Sequence, residues 1–285
     1  MRHVAAPIAV LAALIAFAAP LRSAETPTIQ LEARAYQPGE LVVLTIPTTA
    51  APAAIRVRAF GHNVPVFQTG SGTCGALIGI DLDVLPGNQN VTIDLPDGNH
   101  VVKTITVTRR RFPTRQLRVD PDFVIPPPTV EARIAHEARE LAAIWTTPSA
   151  ERLWTGAFER PVPGEATSSF GTRSIFNGQP RSPHGGADFL SPAGTPIHAP
   201  AAGRIILAQD LYFSGNTVII DHGLGLFSML AHLSAFEARE GDRVEAGQVV
   251  GRVGATGRVT GPHLHWAVRV GGARVDPLSV LAMLR

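Results

Sequence analysis

The chain is predicted to be all-β, with two β domains separated by one helix. Three observations predict this. Short runs alternate apolar and polar residues in both halves. Dipeptides rich in glycine and proline punctuate those runs. A single stretch of helical periodicity interrupts them near the middle. At 285 residues the chain is long enough for two cores. Its 45% hydrophobic and 17% charged content belongs to a folded chain rather than a disordered one. A net charge of +2 provides no global field for nucleic acid, so no nucleic-acid partner is expected.

Residues 1–24 read as a cleaved secretory signal: Arg2, an apolar run from Ile8, then small residues at Ala16, Ala18, Ala19 and Ala24. The run is shorter than the ~20 residues a membrane-spanning helix needs. A periplasmic or secreted protein without stable membrane insertion is therefore expected, and with no cysteine nearby no lipid anchor is expected. Cys74 is the only cysteine, so no internal disulfide can form and packing must hold the domains together. A small buried hydrophobe is the expected role for Cys74.

Residues 25–125 are expected to form an accessory β domain. Ile55, Val57 and Ala59 alternate with Arg56 and Arg58; Ile78, Ile80, Leu82 and Val84 alternate with Asp81 and Asp83; Val91, Ile93 and Leu95 follow. Turns are marked by Pro38-Gly39, Pro86-Gly87 and Asp97-Gly98. Short strands at this spacing suggest an immunoglobulin-like β-sandwich. His62 and His100 fall in turn-like stretches and carry no chemistry. The basic run Arg109-Arg110-Arg111, with Arg115 and Arg118, reads as a solvated connector.

Residues 126–150 follow as a proline spacer and linker helix. Pro126-Pro127-Pro128 is stiff. Thr129 is placed to cap a helix with Glu131 in its first turn, an apolar stripe of Ile134, Leu141, Ile144 and Trp145, and Pro148 as its end. His136 is expected on its surface. Residues 151–285 then return to short strands, at about 203–208, 216–221, 226–232, 248–253 and 263–270, before a closing helix near 278–284.

Candidate ligands for a metal ion lie in two stretches of this second domain, His184-Gly-Gly-Ala-Asp188 and His263-Leu264-His265. In a strand, His263 and His265 share one face about 7 Å apart, which suits one ligand and one neighbour rather than two adjacent ligands. The glycines after His184 argue against a helix and for a loop entering a strand at Ala187-Asp188. His232 closes an apolar strand, where a histidine is more often structural; His198 and His222 also read as structural. Two imidazoles and one carboxylate would leave a fourth position open, the arrangement of a catalytic zinc.

HxxxD, a histidine closing a strand, and HxH, set among Gly-Thr-Pro-Ile-His-Ala-Pro and Thr-Gly-Pro-His-Leu-His, resemble the lysostaphin/LytM-type zinc metalloendopeptidases over about residues 164–281. The resemblance implies Zn2+ held by His184, Asp188 and His265, with His232 and His263 flanking the reacting water. It further implies peptidoglycan as partner and substrate, cleaved at a peptide cross-link such as D-alanyl–meso-diaminopimelate in a groove floored by β-sheet. No glutamate base of the HExxH kind is present, so a neutral imidazole must take the proton; His232 and His263 both qualify. The alternative is a non-catalytic family member that regulates a cell-wall amidase, against which the full set of five side chains stands. Asn177-Gly178-Gln179-Pro180 can border or plug the groove. The segment from Gly241 to Gln248 is similar to the hairpin of biotinyl and lipoyl carriers, but this half of the chain has no lysine to carry a cofactor.

Overall fold

The structure, a computed structural model, describes residues 28–166 and 170–285, so the secretory signal expected at residues 1–24 lies outside the described residues. The first eight strands are β1 (Gln30–Glu32), β2 (Leu41–Pro47), β3 (Arg56–Ala59), β4 (His62–Val64), β5 (Val66–Gly70), β6 (Thr73–Gly79), β7 (Gly87–Asp94) and β8 (His100–Val107). They form two antiparallel sheets of order β1-β2-β6-β5 and β4-β3-β7-β8. Alternation buries one face of each: Val42, Leu44, Ile46, Cys74, Ala76 and Ile78 from the first meet Val57, Ala59, Val91, Ile93, Ile105 and Val107 from the second. Cys74 is buried among them, as expected. The run from Ile78 to Val84 departs from the expected strand. Pairing stops at Gly79, and Asp81 and Asp83 turn away to meet Arg274. His62 and His100 open strands β4 and β8 rather than sitting in turns, and both are exposed.

The basic run is a solvated connector only in part: Arg109, Arg111 and Arg118 are exposed, whereas Arg110 and Arg115 are engaged. Arg110 reaches Glu40 and Asp276, and β9 (Thr114–Leu117) carries Arg115 into the second half of the molecule. The helix α1 (Pro128–Thr146) follows. Thr129 does not cap it: Pro127 is the N-cap residue, without a side-chain hydrogen bond, and Pro128 begins the helix. Proline suits that place because its missing N–H would have no intrahelical partner. Leu141, Ile144 and Trp145 dock on Leu207, Leu211, Ile219 and Phe227, with Trp145 edge-on to Phe227 at 5.5 Å. The helix thus covers the outer face of the second sheet instead of standing free between domains. His136 is exposed, as expected.

The remaining strands are β10 (Arg173–Phe176), β11 (Gln179–Pro180), β12 (Gly186–Phe189), β13 (Pro196–His198), β14 (Gly203–Leu211), β15 (Gly215–Gly223), β16 (Leu226–Phe236), β17 (Arg243–Val244), β18 (Val249–Val253), β19 (Leu264–Val270) and β20 (Ala273–Val275). Nine of them build one antiparallel sheet with the central path β12-β19-β16-β15-β14-β17. β10 pairs antiparallel with β11 and parallel with β9, making a small sheet whose third strand comes from the segment after the sandwich. Helix α2 (Pro277–Met283) closes the chain.

Sandwich and second sheet share a core. Leu41 and Leu77 belong to the same buried cluster as Trp154, Trp266 and Val275. Beside it lies a network of two carboxylates and two arginines. Buried Glu40 accepts from Arg34 Nε at 2.9 Å and from Ser279 Oγ at 2.7 Å. Buried Asp276 accepts from Arg34 at 3.2 Å, from Arg110 at 3.0 Å, and from the Leu278 N–H at 3.0 Å as the cap of α2. Removing one member leaves buried charge uncompensated. Asp276→Ala is expected to lower stability by about 2 kcal/mol, loss of the cap included. Asp276→Asn, which keeps a capping oxygen, should recover about 1 kcal/mol of this in thermal or urea denaturation.

Candidate metal centre

Strand pairing brings the site together. β12 and β19 run antiparallel with Asp188 opposite His265, and β19 in turn pairs with β16, placing Ala231 opposite His265. His184 lies just before β12, anchored by its N–H to the Thr172 carbonyl at 2.9 Å, while the Gly171 N–H donates to its carbonyl at 2.8 Å. Gly186 matters for space: a Cβ there would overlap the Trp266 carbonyl and stand 2.8 Å from Cε1 of His265. The His265 ring occupies the volume that the missing side chain leaves. Gly185, by contrast, has open space around it.

Three polar atoms converge. His184 Nε2 is 2.9 Å from Asp188 Oδ1 and 2.9 Å from His265 Nδ1, which is itself 2.8 Å from Asp188 Oδ1. Asp188 is only 8% exposed, which disfavours its charge. Although burial opposes ionisation, the hydrogen bonds with His184 and His265 hold the carboxyl well below the usual carboxylate range. Burial pushes the His265 imidazole down, partly offset by Asp188. Two imidazole nitrogens and a carboxylate oxygen aimed at one point fit a divalent zinc ion and can hold it. Among the described residues this is the one group of histidines and carboxylates close enough to do so.

Two further histidines border the cluster. His263 Nε2 lies 3.9 Å from Asp188 Oδ1, and its Nδ1 is 2.9 Å from the Gly261 carbonyl. The His232 ring stands 4.9 Å from that of His263 and 6.0 Å from that of His265. Its Nδ1 is 2.9 Å from the Thr256 carbonyl. A carbonyl can only accept, so in both rings Nδ1 carries the proton and the neutral form presents an unprotonated Nε2. Burial, helped by the neighbouring His265 and His263, lowers the His232 pKa to about 3, so this ring is neutral near pH 7.

His232 is not at the end of its strand. β16 continues to Phe236, and a bulge against β15 sets Ala231 and His232 opposite the single residue Thr217. The backbone of His232 is left-handed, with φ of 67°, and its N–H donates to the Ser214 carbonyl at 2.9 Å. His222 and His198 are structural, as expected. The former is fully buried between the Ala202 carbonyl and Ser228 Oγ, both 2.9 Å away, and the latter contacts the Gly247 carbonyl at 2.7 Å.

The cluster opens into a groove whose walls include residues that sequence reasoning missed. Arg115, carried by β9, places Nη1 3.8 Å from Asp188 Oδ2 and Nε 3.1 Å from Ser174 Oγ. No local signal announces this contact, because its partner strand lies about sixty residues further on. Beyond β9 the chain crosses the groove: Leu117 and Val119 line it, Asn177 Nδ2 donates to the Val119 carbonyl at 2.9 Å, and Tyr212 Oη donates to the Asp122 carbonyl at 2.9 Å. The turn at Asn177-Gly178 therefore borders the groove and fastens this strap. Helix α1 steadies the opposite wall, where Glu137 Oε2 accepts the Tyr212 N–H at 2.9 Å.

The sequence pattern described as Peptidase family M23 matches residues 182–277. A crystal structure from Pseudomonas aeruginosa, described as a peptidase M23, superposes with a TM-score of 0.70 at 34% identity, over 86% of this chain and 95% of that one. The chain belongs to peptidase family M23. The DD-carboxypeptidase/endopeptidase Mpg of Neisseria meningitidis is 47% identical over 97 residues, 34% of this chain and 22% of that protein. The peptidoglycan DD-endopeptidase ShyA of Vibrio cholerae is 37% identical over 127 residues, 43% of this chain and 30% of that protein. The match thus spans less than a third of either of these relatives. The M23 span contains His184, Asp188, His232, His263 and His265 but not Arg115, which the segment behind the sandwich supplies.

A left-handed backbone costs a residue with a Cβ on the order of 1–2 kcal/mol relative to glycine. His232→Gly is therefore expected to unfold at a higher temperature than His232→Ala, by about 1 kcal/mol in stability, in paired thermal melts.

Proposed function

We propose that the protein is a zinc-dependent endopeptidase that hydrolyses peptide cross-links of bacterial peptidoglycan, with the D-alanyl–meso-diaminopimelate amide as the bond cut. The observation that carries this reading is the convergence of His184 Nε2, Asp188 Oδ1 and His265 Nδ1 beside the imidazoles of His232 and His263. The naming of ShyA as a peptidoglycan DD-endopeptidase supports the substrate.

In this reading His184, Asp188 and His265 are the metal ligands. Zinc supplies Lewis acidity there, activating water and polarising the scissile carbonyl. His232 and His263 present unprotonated Nε2 atoms beside the cluster, so either can take the proton of the attacking water, and the ring that takes it can then donate a hydrogen bond from Nε2 to the developing oxyanion. The proton gained is then available for the departing amine. The Nδ1 bonds to Thr256 and Gly261 hold both rings in this tautomer. Arg115 opposes the second oxygen of Asp188 and keeps the carboxylate turned toward the imidazoles. A complete set of five side chains speaks against a purely regulatory, non-catalytic role.

Action on a cell wall agrees with export by the signal at residues 1–24, so we assign the protein to the periplasm or the exterior. Among the described residues no helix is long and apolar enough to cross a membrane. The accessory sandwich is read as immunoglobulin-like, supported by its strand orders β1-β2-β6-β5 and β4-β3-β7-β8, which follow the A-B-E-D and C′-C-F-G arrangement of that plan.

Digestion of purified sacculi by the zinc-loaded protein, with mass spectrometry of the new termini, tests the reading. Release of cross-linked dimers as monomers with free D-alanine carboxyl groups is expected, and an unchanged muropeptide profile would contradict it. His263→Ala is expected to lower the cleavage rate by about 10²–10⁴-fold while keeping one equivalent of zinc. Loss of zinc from that variant would overturn the assignment of His263 as a flanking group.

A further inference from the structure

Arg258 sits in the loop between β18 and β19 and lines the same groove as the His/Asp cluster. Its guanidinium is held between two aromatic rings, 4.9 Å from the centroid of Phe176 on β10 and 4.7 Å from that of Phe213 on the opposite wall. The loop is pinned from several sides. The Arg258 N–H donates to the Phe213 carbonyl at 2.8 Å, Thr256 Oγ1 donates to the Leu233 carbonyl at 2.9 Å, and Thr256 Oγ1 accepts the Asn216 N–H at 2.9 Å. Stacking occupies the faces of a guanidinium and leaves its in-plane N–H donors to be satisfied at the edge. Among the described residues no acceptor hydrogen-bonds to the Arg258 side chain and no carboxylate pairs with it.

A second guanidinium stands beside it. Arg181, which follows β11, also lines the groove, and its Nη2 donates to the Val124 carbonyl of the strap. Its Nε is buried without a hydrogen-bond partner. Burial, and secondarily the charge of Arg181, lowers the pKa of Arg258. The one acidic residue lining the groove is Asp188, already engaged with His184, His265 and Arg115, whereas arginine contributes Arg115, Arg181 and Arg258. Like charges brought together in a half-buried cleft are stabilised by an anion, and a planar guanidinium fork matches a carboxylate in two parallel hydrogen bonds.

We infer that Arg258, backed by Arg181, forms a carboxylate-binding subsite that selects peptides with a free carboxylate beside the scissile bond. The inference rests on the peptidase reading above and narrows it. In a D-alanyl–meso-diaminopimelate cross-link, the carbon bearing the scissile amide nitrogen also bears a free carboxylate; in a cross-link through a lysine side chain it does not. Arg258 is then a specificity-determining residue, favouring the first kind of bond over the second.

The test compares kcat/KM for a D-alanyl–meso-diaminopimelate cross-linked muropeptide dimer with that for the same dimer amidated at this carboxylate. The zinc-loaded native protein, Arg258→Gln and Arg258→Lys are assayed side by side. The native protein is expected to favour the free carboxylate by about tenfold or more, as charge-assisted hydrogen bonds do. Arg258→Gln should lower turnover of the free dimer by about tenfold more than that of the amidated one, so that the preference between them is lost. Arg258→Lys should recover part of the preference, since the charge returns without the fork. Equal loss on both dimers would assign Arg258 to packing between Phe176 and Phe213 and overturn the subsite, as would a native protein indifferent to amidation. If the native protein cleaves neither dimer, it is the peptidase reading that fails. Calorimetric binding of the same two dimers then decides the subsite: tighter binding of the free dimer, erased by Arg258→Gln, supports it, and equal binding overturns it.

Discussion

A carboxylate buried beside two imidazole nitrogens is the constraint on which the second half of this molecule turns. Asp188 is nearly removed from solvent, and a charge so placed persists only where partners compensate for lost hydration. Its partners come from three directions: His265 directly across the β12–β19 ladder, His184 from the loop before β12, and Arg115 from a strand contributed by the other half of the chain. Pairing of β12 with β19 therefore sets the site. A one-residue slip would turn either Asp188 or His265 to the opposite face.

Much of the remaining architecture keeps that pairing and its surroundings rigid. Gly186 admits the His265 ring, a bulge and a left-handed residue turn His232 into the groove, and carbonyls of Gly261 and Thr256 orient the two flanking rings. Helix α1 holds the Tyr212-Phe213 wall through Glu137, and the Phe213 carbonyl in turn anchors the loop of Arg258. The sandwich is fastened through Glu40, Arg34, Arg110 and Asp276, close to where the chain leaves toward β9. Sandwich, strap and groove are thus one connected piece of packing rather than beads on a linker.

That His184, Asp188, His232, His263 and His265 would lie together was legible because strand alternation and two short motifs are local properties. His265 faces the cluster and Trp266 faces the core, as period-two patterning requires. Alternation also located the main strands of the second half, and the apolar stripe of Leu141, Ile144 and Trp145 located the helix. What escaped was non-local or conformational. Arg115 looked like part of a solvated basic run because its partner strand β10 is distant in sequence. The alternation through Asp81 and Asp83 looked like a strand, yet those carboxylates serve Arg274, which is about 190 residues further along the chain. Thr129 looked like a cap, but Pro128 already satisfied the first turn. The bulge at His232 depends on its neighbours β15 and β19, which no single strand's pattern records.

The central claim is that one divalent cation is shared by His184, Asp188 and His265. Anomalous diffraction collected on either side of the zinc absorption edge, from crystals of the zinc-loaded protein, tests it most directly. The account predicts a single strong peak within bonding distance of His184 Nε2, Asp188 Oδ1 and His265 Nδ1, with His232 and His263 outside that distance. A zinc-saturated protein with no peak there, or with its peak on His232 and His263 instead, would contradict it.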